Sequence, residues 1–210
     1  MTRLKRLRPI ALALIVTASL LGCSDDEANT FAVTFTPSGT AAAPRAIKLV
    51  QKSKSGGRVV VSVVIGGPDT NLDMYSFAFD VKIGDPSKLR FVDGSDAPGN
   101  ALVAFAGQTI ESIVGLGTLP GGGTDQSTVV IGVSKLGGGL GNGVAGASAV
   151  IVDLAFDVRS AGTTTLTIAG SGGNPPRVFD SGGSVIGTIT FDAAAASVSG
   201  ASTGGGSGGY

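Results

Sequence analysis

Apolar and polar positions alternate along most of this chain, and the alternation has the period of two that a pleated strand requires. The clearest run is Tyr75, Phe77, Phe79, Val81 and Ile83, with Ser76, Ala78, Asp80 and Lys82 between them. That spacing predicts a half-buried strand whose aromatic stripe, Tyr75 included, looks into a core. Residues 149–159 repeat the pattern, with Val150, Val152, Leu154, Phe156 and Val158 set against Ile151, Asp153, Ala155, Asp157 and Arg159. Further strand candidates are 30–36, 46–52, 58–65, 89–92, 101–106, 128–135, 163–169, 177–179 and 185–198. Polar turns separate them, among them 53–57 and Asp85-Pro86. No stretch carries a helical stripe with caps. Short strands joined by Gly-rich turns predict an all-β chain, an antiparallel β-sandwich of about nine strands.

Composition narrows the chemistry. The 210 residues include 35 Gly and 9 Pro, yet Leu, Ile, Val and Phe together make 59, enough to build a core. There is no His, so Ser-His-Asp and Cys-His constellations, HExxH zinc sites and imidazole acid–base schemes are all excluded. A single Cys excludes a disulfide framework and a Cys-based zinc cluster. Binding or scaffolding is the expected class, with no enzymatic activity and no cofactor.

The single Cys sits where it carries meaning. Arg3, Lys5, Arg6 and Arg8 form a basic start, followed by an apolar run from Ile10 to Leu21 that is too short to span a membrane. The run ends in Leu20-Leu21-Gly22-Cys23, which resembles a bacterial lipoprotein lipobox. The resemblance implies cleavage before Cys23 and lipidation of its sulfur. Ser24 after the Cys implies, on the same resemblance, an extracytoplasmic protein held at the outer membrane in preference to the inner. Removing the four basic residues leaves 11 positive against 15 negative side chains, so the mature chain carries about −4. Nucleic acid is therefore not an expected partner. The expected organisation is a signal peptide at 1–22, the lipidated Cys and a tether at 23–45, the sandwich at 46–198, and a disordered Gly/Ser tail at 199–210.

Residues 57–92 resemble the front half of a cohesin domain. They combine a β-branched strand, a turn with Pro68 and Asn71, the strand SFAFDV, and then Asp85-Pro86-Ser87-Lys88-Leu89-Arg90-Phe91. The back half is similar as well: VIVDLAFDVRSAGTTTLTI at 150–168, then 178–198 with its Asp180-Ser181-Gly182-Gly183 turn. The resemblance covers roughly 46–198, in the cohesin and carbohydrate-binding-module superfamily of jelly-roll sandwiches. It implies a module that docks a dockerin-like protein through one sheet face. The partner-binding residues would be those opposite the aromatic stripe: Met74, Ser76, Ala78, Asp80 and Lys82. Dockerin-binding cohesins place Asn and Asp near the start of that strand, where this chain has Met74 and Ser76.

The alternative is a carbohydrate-binding module recognising polysaccharide. With no Trp, and only Tyr75 and Tyr210 as tyrosines, an aromatic sugar platform is absent; a glycan would be held by side-chain hydrogen bonds. Three smaller signals complete the reading. Gly141, Gly143 and Gly146 spell GxGxxG, but a strand follows and not a helix, so a flexible loop is expected in place of a phosphate cradle. Asp69, Asn71 and Asp73 alternate like the start of a calcium loop and form a weak metal candidate, with a turn rich in Asx residues as the preferred reading. Asp153 and Asp157 lie roughly 13 Å apart by strand rise, beyond the about 5 to 9.5 Å of glycosidase pairs. They are expected on a solvated face, and Glu111 has no obvious partner.

Overall fold

The period-two segments fold as strands, and no helix occurs among the described residues. The computed structural model describes residues 31–37, 42–103 and 108–203. In chain order the strands are β1 (Phe31–Thr36), β2 (Ala46–Ser55), β3 (Arg58–Gly66), β4 (Asp69–Met74), β5 (Ser76–Ile83), β6 (Leu89–Phe91), β7 (Ala97–Pro98) and β8 (Ile110–Thr118). They continue with β9 (Thr124–Lys135), β10 (Asn142–Val144), β11 (Ser148–Val158), β12 (Gly162–Ala169), β13 (Arg177–Phe179), β14 (Thr190–Phe191) and β15 (Ala196–Ser202). One seven-stranded sheet runs β1-β15-β12-β5-β9-β8, with β13 pairing with the part of β5 that β12 leaves open. A six-stranded sheet runs β14-β2-β3-β11-β6, with β7 also on β11. A separate ribbon joins β4 to β10. Every pairing between these strands is antiparallel except β14 with β2.

The sheets face each other across one apolar core, so the protein is an antiparallel β-sandwich. The larger sheet contributes Phe77, Phe79, Val81 and Ile83 from β5, Val129, Ile131 and Val133 from β9, and Leu166 and Ile168 from β12. The smaller contributes Ile47, Leu49, Val59, Val61, Val63, Ile65, Leu154 and Phe156. Phe79 meets Phe191 across the sheets at 5.9 Å, and Phe91 packs edge-on against its cross-strand partner Phe156 at 5.8 Å. The β2–β3 hairpin turns through Gly56 and Gly57, with φ of 54° and 81° between the paired Ser55 and Arg58. Two central residues at positive φ give the turn whose twist matches the strands, and glycine enters it without a Cβ clash.

Several expectations needed correction. Residues 31–36, a strand candidate that the expected organisation placed in the tether, pair with β15 along its length, so among the described residues the sheet includes Phe31–Thr36 as well as the 46–198 span. β15 likewise continues to Ser202, past the expected end at 198. Ala101 and Leu102 lie in a turn, buried but not in a strand, and 104–106 lie outside the described residues. In β11 a bulge between Val150 and Val152 breaks the alternation, so Ile151 and Val152 are both buried. β8 was not anticipated, because Gly115 and Gly117 dilute its pattern and a sheet-edge position buries little of it.

Candidate docking face

β5 lies in the interior of the larger sheet, so its outward side chains sit at the centre of a broad face. Strand register places one row as Glu111, Ser134, Ser76 and Phe179 across β8, β9, β5 and β13. The next is Ile113, Gly132, Ala78 and Arg177, and a third is Gly115, Val130, Asp80 and Ala169. Thr128, Lys82 and Thr167 follow. Small residues (Ser134, Ser76, Gly132, Ala78, Gly115, Ala169, Thr128 and Thr167) alternate there with larger ones, and Ile113 stands 70% exposed beside Gly132. A Cβ built on Gly132 would meet nothing nearer than 3.9 Å, and one on Gly115 nothing within 4 Å, so these glycines keep the surface low without a packing demand.

A polar chain stiffens this floor. The Lys82 ammonium donates to the Thr128 hydroxyl at 2.7 Å, and that hydroxyl donates to Asp125 at 2.6 Å. Asp125 also accepts from the Ser127 hydroxyl and amide, at 2.6 and 2.9 Å. The Ser127 hydroxyl first, then Thr128 and the Ser127 amide, lower the Asp125 carboxyl to a pKa of about 2. Asp80 lies 3.6 Å from Lys82 and is 3% exposed, with its Oδ1 buried and unpartnered.

The structure brings together Ser76, Ala78, Asp80 and Lys82 on this face, but not Met74. Met74 is fully buried. The reason is a break at Tyr75: β4 ends there and pairs with β10, so the parity of β5 does not carry back through it. Tyr75 itself leaves the core stripe; it is half-buried, and its hydroxyl donates to the Gly137 carbonyl. Ile113, Gly132 and Arg177 were missed as neighbours, because only the register of β8, β9 and β13 places them beside Ala78.

The carboxylates of the weak metal candidate are otherwise engaged. Asp69 pairs with Arg45 at 2.5 Å and accepts the Asn71 amide at 3.1 Å. Asp73 accepts from the Gly141 amide and from the Ser181 hydroxyl at 2.7 Å, and the latter chiefly lowers its pKa. These bonds brace the β4–β10 ribbon. The Gly-rich motif is likewise not a loose loop, because Asn142–Val144 is a strand against β4. A Cβ at Gly141 would collide with the backbone of Asp73 and Met74, and one at Gly143 would lie 2.5 Å from the Asp69 carbonyl. Asp153 is also not solvated: it is 7% exposed, with Ser62 and Lys52 each at 2.5 Å. Asp157 does reach the surface, where it forms a two-pronged pair with Arg58 at 2.6 and 3.1 Å. Cys23 lies outside the described residues.

No family model and no curated protein matches the chain. Among solved structures it is similar to a type II cohesin domain from the cellulosome of Acetivibrio cellulolyticus, at 14% identity and a TM-score of 0.46, covering 69% of this chain and 89% of that one. It is also similar to the cohesin module of a Clostridium perfringens family 33 glycoside hydrolase, at 11% identity and TM-score 0.44, covering 83% and 96%. Against the type II cohesin dyad of the Acetivibrio cellulolyticus adaptor ScaA scaffoldin, identity is 14% and TM-score 0.45. There the match covers 67% of this chain and spans 44% of the dyad.

Proposed function

We propose that this protein is a non-catalytic docking module, lipid-anchored through Cys23 on the extracytoplasmic side of the outer membrane. In this reading it binds a dockerin-like protein partner through the outer face of its larger sheet. The observation that carries the reading is the row Ile113, Gly132, Ala78 and Arg177. Ile113 supplies an exposed apolar anchor, Gly132 and Ala78 a low strip beside it, and Arg177 a guanidinium, a group that protein interfaces enrich. The sequence resemblance of 57–92 and 150–168 to cohesin strands supports the choice of partner class.

The test is binding of the purified full chain to dockerin modules with paired calcium loops encoded in the same genome. Wild type is expected to capture at least one, whereas Ala78→Arg and Ile113→Asp lose capture at least tenfold with unchanged melting temperature. Absence of binding to every such module, or equal binding by both variants, overturns the reading.

A further inference from the structure

The larger sheet ends in a strand whose outer edge is open for pairing. β8 is terminal in the strand order, so β9 takes only one of its two sides. The Leu136 amide donates to the Thr109 carbonyl, and an antiparallel ladder alternates residue by residue. The main-chain groups of Glu111, Ile113 and Gly115 therefore turn to β9, and those of Ser112 and Val114 turn to the open side. Neither Ser112 nor Val114 makes a main-chain bond to another described segment on that side. Residues 110–116 carry no Pro and no Lys, the residues that edge strands use against pairing. The opposite edge of the same sheet does have such a guard, because Lys54 donates to the Val33 carbonyl of β1 at 2.9 Å.

The side chains of this edge fit a second copy of the same edge. Among the described residues, Ile113 is the only exposed large hydrophobic side chain that lies within one of the strands, and it is 70% exposed. Glu111 is the only charged residue of β8. In a two-fold antiparallel pairing of β8 with itself, Ser112 and Val114 must supply the hydrogen bonds, which limits the registers available. An axis through Ile113 sets Ser112 opposite Val114 of the copy, Ile113 opposite Ile113, and Glu111 opposite Gly115. A shift by two residues sets Glu111 against Ile113 in one direction and Ile113 against Gly115 in the other. Only the centred register pairs the isoleucines while facing each carboxylate with a glycine. Directly opposed residues of this kind have Cα atoms about 4.5 Å apart, so the two isoleucines touch. A Cβ at Gly115 would meet nothing within 4 Å in its own chain, which leaves room there for Glu111 of the copy.

We propose that the protein forms a two-fold dimer through β8, joining the two larger sheets into one continuous sheet. A second copy of this chain answers the open ladder, the exposed isoleucine and the lone carboxylate together. The dimer does not depend on the docking reading, although it sets the outer faces of the two larger sheets side by side.

The experiment is sedimentation of the purified full chain over a range of concentrations. No dockerin is present, so its failure is distinct from failure of the docking reading. Wild type is expected to pass from monomer to dimer as concentration rises. Gly115→Glu sets a carboxylate opposite Glu111 of the copy and should weaken the dimer several-fold. Gly115→Lys sets an ammonium there and should tighten it several-fold. Both variants place a long charged side chain at the same open position, so loss of fold cannot imitate shifts of opposite sign. Register is read by oxidative cross-linking in Cys23→Ser chains, which then carry one introduced thiol each. Ile113→Cys should give a disulfide-linked dimer, because the opposed Cα separation suits the bond. Glu111→Cys should not, since strand rise holds it roughly 13 Å from its equivalent. A monomer at every concentration, shifts of the same sign in both Gly115 variants, or cross-linking of Glu111→Cys as readily as Ile113→Cys each overturns the proposal.

Discussion

At the scale of single residues, Asp125 and Asp73 are held by hydroxyls and amides, whereas Asp69, Asp153 and Asp157 pair with cations. Asp125 is the strongest case, with a pKa of about 2 set first by the Ser127 hydroxyl. Since its folded pKa lies below the roughly 3.9 of an unfolded Asp, its contribution to stability is complete above that value. It is lost as pH falls towards 2. Asp125→Asn should therefore lower stability at pH 7, and the difference from wild type should shrink steadily between pH 4 and pH 2 in urea unfolding. A difference independent of pH would show that the charge is not what Ser127 and Thr128 stabilise. Asp153 makes a second case, because removing it strands the Ser62 hydroxyl in a buried position. Asp153→Ala is expected to cost about 1–3 kcal/mol, and Asp153→Asn less, because the carboxamide oxygen still accepts from Ser62.

At the scale of elements, strands were legible where alternation runs unbroken, the edge strands β1 and β6 included, and obscure where glycines dilute it. β5, β11 and β12 followed from alternation, because each has a core face and an opposite face. β8 hid behind Gly115 and Gly117, and β10 behind a motif whose glycines answer to close packing and not to phosphate. Of the candidate site, four residues of β5 were readable by parity, but Met74 was not, since the break at Tyr75 is set by pairing of β4 with β10. Ile113 and Gly132 were beyond reach for the same kind of reason, because register is a tertiary property. The hairpin at Gly56 and Gly57 shows the opposite case, where local chemistry alone dictates the turn. Gly56→Asn should leave stability within about 0.5 kcal/mol, since Asn tolerates positive φ, whereas Gly56→Val should cost about 1–2 kcal/mol. Equal melting temperatures for the two variants would contradict the turn geometry.

At the scale of the whole molecule, the proposed docking face and the fold place separable demands on the same strands. β9 must bury Val129, Ile131 and Val133, yet its outward side uses Gly132 where a Cβ would meet nothing nearer than 3.9 Å. Glycine costs a strand roughly 0.5–1 kcal/mol relative to Ala, and the open space above Gly132 gives packing no reason to keep it. The proposed docking surface would give one, because a methyl group there adds bulk to the low strip between Ala78 and Ile113. Gly132→Ala is therefore expected to raise stability by about 0.4–1 kcal/mol in urea unfolding while weakening partner capture several-fold. A variant both more stable and equally able to bind would detach the glycine from docking, and a destabilised one would mean that the strand itself needs it. The proposed anchor adds a third separable demand. Cys23→Ser should abolish incorporation of labelled palmitate and release the protein from the membrane fraction, since acyl chains contribute about 0.8 kcal/mol per buried CH₂. The same variant should keep the wild-type melting temperature and affinity for a soluble partner, because the pairing of β1 with β15 is made by residues 31–36 and 197–202.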